Sequence, residues 1–188
     1  MPANELDTME FASPLNQAGK DLLKGATALV QVDVAGLSHQ GHVRTSNEDH
    51  FYIARADRVL QTLATNLPSD IVSRRVGEHA FGMILADGIG GAAAGEVASR
   101  LAIATLMDQV LTTPDWIMRF DESQGQRWQE RFRERFHQIH AVVQEAAARD
   151  PKLAGMGTTL TVACSSGRHL LIAHLGDSRV YMFRQQRL

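Results

Sequence analysis

The stretch FGMILADGIGGAAAGEVAS, residues 81–99, decides how the rest of the chain is interpreted. Its apolar start, residues 81–86, predicts a short buried strand, and Asp87 follows at the carboxyl end of that strand. The glycines after Asp87 allow a tight turn before a helix that begins near Ala93. Because a carboxylate beside an accessible main-chain carbonyl suits a hard divalent cation, the stretch predicts a metal or phosphate site.

The same glycines also fit a dinucleotide-binding pattern. Gly88, Gly90 and Ala93 satisfy G-x-G-x-x-A directly after a strand. That fold also needs a second strand ending in an acid about 20 residues on, which binds a ribose hydroxyl. Asp108 has this spacing but lies in a segment whose apolar residues recur at helical spacing. The pattern therefore lacks its structural context, and the dinucleotide interpretation is disfavoured.

Three further segments carry polar residues in a distinctive order. Upstream lies GHVRTSNEDHFYIA (41–54), and downstream lie GMGTTLTVA (155–163) and HLGDSRVYMF (174–183). With D-G-x-G-G, the motifs R-x-x-N-E-D, G-M-G-T-T and G-D-S-R-x-Y form an ordered set. This set resembles the bacterial branch of the metal-dependent protein phosphatases, the PP2C family. The resemblance extends over about residues 30–188, and four motifs in one order make chance a poor explanation.

The resemblance implies a metal centre built on Asp87. Asp87 would bridge two Mn²⁺ or Mg²⁺ ions, and the Gly88 carbonyl would add a neutral ligand. Asp177 resembles the acid that helps to bind a third ion in bacterial members. Glu48 and Asp49 would hold metal-bound waters from outside the first ring of ligands.

The implied reaction is hydrolysis of phosphoserine and phosphothreonine in proteins. A phosphate monoester dianion is attacked only slowly by water. The enzyme therefore needs hydroxide at neutral pH and positive charge around the phosphoryl oxygens. A metal-bridging hydroxide and its metal ions would supply both. Arg44 is the predicted phosphate-binding residue, because its planar guanidinium matches two phosphate oxygens as a lysine cannot. Arg44 and Asp87 are thus the predicted catalytic residues.

Taken singly, these residues also have purely structural explanations. Asp177 with Ser178 is typical of a hairpin turn. Arg44 with Glu48 or Asp49 could form an exposed ion pair worth about 0 to 1 kcal/mol. The order of the four motifs favours the functional interpretation.

The family pattern also contains motifs that this chain lacks. Two further aspartates, one in an S-D-G segment and one in a D-N-x-T segment, complete the family's metal centre, and neither motif occurs here. We therefore expect a weakened metal site, together with uncovered sheet edges that favour self-association. The alternative function is a truncated, catalytically inactive pseudo-phosphatase or a phosphoprotein-binding fragment.

The predicted fold is α+β, a PP2C-like sandwich of antiparallel sheets flanked by helices and incomplete at its C-terminal end. Helices are predicted over 93–111 and 123–149, where apolar residues recur at helical spacing. A hairpin is predicted around Gly167, followed by a further strand over 179–183.

The domain organisation predicted from the sequence has three parts. Residues 1–28 lack periodicity and indicate a flexible tail, and residues 29–188 form a partial phosphatase domain whose first strand includes the alternating valines of 30–34. Within that domain, residues 55–79 indicate an insertion that is helix-like until Pro68.

The composition fits a soluble domain of 188 residues, with 44% hydrophobic residues and a net charge of −2. The near-neutral charge disfavours nucleic acid as the main partner, and no apolar run is long enough to span a membrane. Since the first residues carry acids instead of a secretory signal, we predict a cytoplasmic protein whose partner is a phosphorylated protein.

Overall fold

The computed structural model describes residues 32–68, 72, 75–112, 125–167 and 169–188. Its elements, in chain order, are β1 (Asp49–Gln61), β2 (Arg75–Ile89), α1 (Ala92–Thr112), α2 (Gly125–Arg149), a 3-10 turn (Pro151–Leu153), β3 (Gly157–Thr158), β4 (Leu160–Ser166) and β5 (His169–Leu175). The predicted helices and the hairpin around Gly167 are confirmed within these residues.

The strands form one sheet in the order β1-β2-β4-β5, and the short β3 pairs with the end of β2. The pairings of β2 with β3, of β2 with β4 and of β4 with β5 are all antiparallel. The predicted α+β class with antiparallel strands and flanking helices is therefore confirmed.

The core lies between one face of this sheet and the two helices. Ile84 of β2 is directly opposite Val162 of β4, so both side chains point to the same face of the sheet. They pack in one buried cluster with Leu106 of α1 and Ile139 of α2. Burying each such side chain contributes about 1.5–3 kcal/mol, which makes this cluster the main support of the sheet.

The two helices differ in how they meet this core. Along α1, Ala98 and Ala102 are completely buried, and such small side chains let the helix approach its neighbours closely. Along α2, the buried residues Trp128, Ile139 and Val143 lie among charged and polar ones, as expected of a helix with one apolar face. The α1 helix thus carries the more buried surface, next to the predicted site.

Three predictions about secondary structure are wrong. Residues 32–34 form no strand, residues 179–183 form no strand, and residues 58–61 belong to β1 where the sequence suggested a helix. The reason is common to all three. A local pattern says which side chains could share a face, but a strand exists only where a neighbouring strand accepts its hydrogen bonds.

The chain divides into two compact units, one of which comprises Leu29–Asp57 and His79–Leu188. The other contains Arg58–Glu78, which lies within the predicted insertion of 55–79. The predicted tail over 1–28 falls outside the described residues, and the domain boundaries stay predictions. No helix in the described part of the chain is long and apolar enough to cross a membrane.

Candidate metal centre

The main chain of Asp87 is fixed by the strand pairing around it. Its carbonyl accepts hydrogen bonds from the Thr159 N–H (2.9 Å) and from the Thr158 hydroxyl (2.9 Å), and its own N–H donates to the Thr159 hydroxyl (3.0 Å). The side chain itself remains exposed. Contrary to the prediction that the strand ends at Asp87, β2 continues to Ile89, because β3 pairs with its last residues.

Glycines allow three pieces of chain to meet beside Asp87. A Cβ on Gly88 would overlap the main-chain carbonyl of Gly95 in α1, and a Cβ on Gly95 would overlap the carboxylate of Glu48. Gly90 and Gly91 have φ values of +133° and +80°, which place the turn between β2 and α1 in a region that favours glycine. Only residues without a side chain fit this junction of strand, helix and Glu48.

The N-E-D segment is held in place through the main-chain carbonyl of Glu48. This oxygen accepts hydrogen bonds from the Gly88 N–H (3.3 Å) and from the Ser99 hydroxyl (2.6 Å). Ser99 lies in α1 and is fully buried, and its oxygen is 2.9 Å from Nδ1 of His50. Since the Ser99 proton is directed to Glu48, the His50 ring donates to the Ser99 oxygen and carries its proton on Nδ1.

Sequence reasoning missed Ser99 and His50. The available signal was a serine at a core-facing position of a helix rich in alanine, which implies a buried hydroxyl that must find a partner. Its partners are 49 and 51 residues away in sequence, so the local pattern does not reveal them.

Three other acidic side chains act on Asp87 through their charge. Burial raises the pKa of the Asp87 carboxyl above its ordinary value of 3.8, and Asp49 raises it further. The charges of Asp177 and Glu48 act in the same direction. All four predicted acids are thus coupled electrostatically, and a bound cation would relieve their repulsion.

The loop that carries Asp177 follows β5 and is held by hydrogen bonds to Thr159, which lies between β3 and β4, and to His174 in β5. The Ser178 and Thr159 hydroxyls share a hydrogen bond of 2.9 Å. His174 is 2.8 Å from the Thr161 hydroxyl through Nδ1 and donates from Nε2 to the Gly176 carbonyl at 3.0 Å. Asp177 is thus held at the edge of the site by its neighbours in the chain.

Arg44 is not brought into contact with these acids. It lies on an exposed segment before β1, where its carbonyl accepts a hydrogen bond from the Gln40 side chain (3.3 Å). Its guanidinium forms no ion pair with Glu48, Asp49 or any other residue that the structure describes. The ion-pair explanation for Arg44 is therefore not supported, and its donors remain available.

The oxygen atoms near Asp87 are of the type that a hard cation prefers, but too few of them come from converging side chains. Asp87 and Asp49 interact electrostatically, and carboxylate and carbonyl oxygens are the ligands that such cations prefer. Within the described residues, however, no three histidine, cysteine, aspartate or glutamate side chains converge closely enough to hold an ion. A divalent ion here would need water or other oxygen ligands to complete its shell.

Comparison with known proteins agrees with these motifs and this fold. The sequence profile of protein phosphatase 2C matches residues 68–188. The chain belongs to the protein phosphatase 2C family. One relative is the serine/threonine protein phosphatase PstP of Mycobacterium tuberculosis, 38% identical over 139 residues, which are 73% of this chain and 23% of PstP. Another is the protein phosphatase PhpP of Streptococcus pneumoniae, 29% identical over 163 residues, which are 81% of this chain and 51% of PhpP.

Solved phosphatase structures share the fold of this family member. The M. tuberculosis serine/threonine phosphatase PstP/Ppp aligns with a TM-score of 0.52 and 32% identity, over 79% of this chain and 48% of that one. The S. agalactiae serine/threonine phosphatase aligns with a TM-score of 0.52 and 25% identity, over 79% and 50% of the two chains. The chain thus spans about a quarter of PstP and half of PhpP.

Proposed function

We propose that this chain provides the Asp87 side of the active site of a metal-dependent protein serine/threonine phosphatase. The observation that carries the proposal is that burial, together with the charges of Asp49, Asp177 and Glu48, raises the pKa of the exposed Asp87 carboxyl beside the Gly88 junction. Side chains with perturbed pKa values are concentrated at functional sites, and a bound cation would favour the charged form of Asp87. Membership of a phosphatase family and the names of PstP and PhpP support the same conclusion.

Each residue has a distinct role in this proposal. Asp87 and the Gly88 carbonyl would hold Mn²⁺ or Mg²⁺, Asp177 would contribute to a further ion, and Glu48 and Asp49 would orient water around the ions. When bound, such ions would supply hydroxide at neutral pH and neutralise charge on the phosphoryl group. The chain's own task is to keep these acids at fixed separations, which the hydrogen bonds of Thr159 and Ser99 accomplish.

Arg44 binds the substrate phosphate in this proposal. Its guanidinium is exposed and has no carboxylate partner among the described residues, so no internal ion pair must break before a phosphate binds. Bidentate hydrogen bonding of a guanidinium to phosphate is stronger than hydrogen bonding between neutral groups, and it fixes the orientation of the phosphoryl group. The substrate is a phosphorylated protein, and we propose that it is encountered in the cytoplasm.

Hydrolysis of a phosphothreonine peptide tests this function directly. Turnover by the purified chain would be measured with Mn²⁺, with Mg²⁺ and with a chelator, for the wild type, for Asp87→Asn and for Asp108→Asn. Asp108 is an exposed aspartate in α1 and serves as the matched control. We expect metal-dependent turnover that Asp87→Asn lowers at least 100-fold and that Asp108→Asn leaves unchanged.

A binding-only function is the alternative outcome of this experiment. Within the described residues, no three ligand-type side chains converge to hold an ion by themselves. If the folded chain shows no turnover with either metal but binds the phosphopeptide in a manner that Arg44→Ala abolishes, this candidate replaces the first. Sedimentation of the same sample would test the predicted self-association through uncovered sheet.

A further inference from the structure

A cavity lies between the sheet and the two helices, and none of the four acids discussed above lines it. Its volume is about 250 Å³. The apolar side chains that line it include Leu106 and Val110 of α1 and Trp128 and Phe132 of α2. An apolar cavity of about 150 Å³ is large enough for benzene, so this one has room for roughly ten non-hydrogen atoms.

Among the described residues, the charged side chains that line the cavity are of one sign. Arg55 and Arg135 line it, and none of the described aspartates and glutamates does. Arg55 forms an ion pair with Asp57 (3.0 Å), whereas Arg135 forms no ion pair with a carboxylate of the described chain. Arg135 is therefore the cation of this cavity that lacks a counter-ion.

The surroundings of Arg135 disfavour its charge. Burial lowers the pKa of its guanidinium below its ordinary value, and the neighbouring Arg131 lowers it further. A partly buried cation without a counter-ion is costly, and an anion that enters the cavity removes that cost. The apolar walls restrict the rest of such a ligand to hydrocarbon.

We propose that this cavity binds a small aliphatic monocarboxylate of about eight carbons, with its carboxylate on the Arg135 guanidinium and its chain between α1 and α2. Octanoate has the required ten non-hydrogen atoms. None of the residues that line the cavity belongs to the acidic cluster around Asp87. The proposal therefore does not depend on the phosphatase function.

Titration calorimetry of the whole chain with octanoate, 1-octanol and octylammonium tests the proposal. We expect octanoate to bind at least tenfold more tightly than 1-octanol, because a hydrogen bond to a charged partner is stronger than one to a neutral hydroxyl. Octylammonium should bind more weakly still. Arg135→Met, which replaces the guanidinium by an uncharged, unbranched side chain, should abolish the preference for octanoate, whereas Arg135→Lys should keep part of it.

The matched control is Arg133→Met, since Arg133 is exposed on the same helix and does not line the cavity. Cys164 gives an independent readout, because it is the single cysteine of the chain and lines the cavity. Octanoate should slow alkylation of Cys164 in the wild type and in Arg133→Met. Equal affinity of the wild type for octanoate and 1-octanol would overturn the proposal. So would a loss of the preference for octanoate in Arg133→Met as large as that in Arg135→Met, or an unchanged rate of Cys164 alkylation at saturating octanoate.

Discussion

Two regions of this chain carry its predicted catalytic residues, and they are built in opposite ways. Asp87 sits in a paired strand, with three hydrogen bonds to its own main chain and two glycine contacts beside it. Arg44 lies on an exposed segment without helix or strand, where its main-chain carbonyl accepts a hydrogen bond from the Gln40 side chain. The fold therefore fixes the position of Asp87, whereas we expect the position of Arg44 to become fixed only when a ligand binds.

This difference has an energetic meaning. Displacing Asp87 breaks sheet hydrogen bonds and separates β2 from α1, so the position of its carboxylate is part of the stability of the fold. Displacing Arg44 breaks few contacts of the described chain, so its position contributes little to stability. Substitutions in the first region should therefore change stability, and substitutions in the second should change catalysis at constant stability.

The largest expected effect is that of Gly88→Ala. The added Cβ would overlap the carbonyl of Gly95, and because that atom belongs to a helix backbone, β2 and α1 must move apart. We expect a loss of about 3 kcal/mol or more in the free energy of unfolding, at the upper end for overpacking. Denaturant unfolding of Gly82→Ala is the control, since a Cβ on Gly82 meets no atom within 4 Å. Equal stabilities of the two variants would contradict the close approach of strand and helix.

Arg44→Ala tests the other side of the comparison. If Arg44 binds the phosphate, its removal should lower kcat/KM for a phosphothreonine peptide about 10- to 100-fold, because a hydrogen bond to a charged group contributes about 1.5–3 kcal/mol. The free energy of unfolding should change by less than about 0.5 kcal/mol, as is usual for exposed positions. Arg44→Lys keeps the positive charge but not the planar guanidinium that can bind two phosphate oxygens at once. Its kcat/KM should therefore lie between those of Arg44→Ala and the wild type. A stability loss as large as the catalytic one would place Arg44 with the structural residues.

Two serine substitutions sharpen the comparison further. Ser99→Ala removes a fully buried hydroxyl that binds the Glu48 carbonyl and leaves His50 without its acceptor, at a cost of about 1–3 kcal/mol. Ser38→Ala removes an exposed hydroxyl that accepts from Asn47 at 2.6 Å, and it should cost less than about 0.5 kcal/mol. Thermal unfolding of both variants measures the difference. If Ser38→Ala costs as much as Ser99→Ala, the segment of Arg44 is more firmly held than we infer.

The smallest expected effect is the pH dependence of the metal-free chain. Because the pKa of Asp87 is raised, its contribution to stability is present below 3.8 and is lost as the pH rises through the raised pKa. In chelator, the wild type should therefore lose stability relative to Asp87→Asn between pH 3 and pH 7. The difference should be below about 1 kcal/mol, since water screens exposed charges. Added Mn²⁺ should reverse this difference in the free energy of unfolding. If the wild type instead becomes more stable than Asp87→Asn as the pH rises without metal, repulsion among the four acids is excluded.

The sequence predicts those parts of the molecule whose cause is local. The helix that became α1, the hairpin around Gly167 and the strand before Asp87 follow from periodicity and turn residues a few positions apart. Within the predicted strand at 30–34, residues 32–34 form no strand, because pairing depends on a distant partner. The Ser99 hydrogen bonds were unpredictable for the same reason.

The acids of the candidate site are a separate case. Glu48, Asp49, Asp87 and Asp177 were chosen together because their motifs resemble one family, not because any local pattern places them together. Coulombic repulsion alone would keep four such carboxylates apart. Their proximity is therefore physical information that the fold adds to the sequence.

The main-chain carbonyl of Glu48, which accepts from both Gly88 and Ser99, has a consequence for how ligands bind. Conformational entropy of the N-E-D segment is lost when the chain folds, before any ligand arrives. Ligand binding then does not have to freeze this segment, and the binding free energy is not diminished by that ordering. Affinity at this site can thus be tuned by changing side-chain charge alone, while the backbone that presents those side chains stays preorganised.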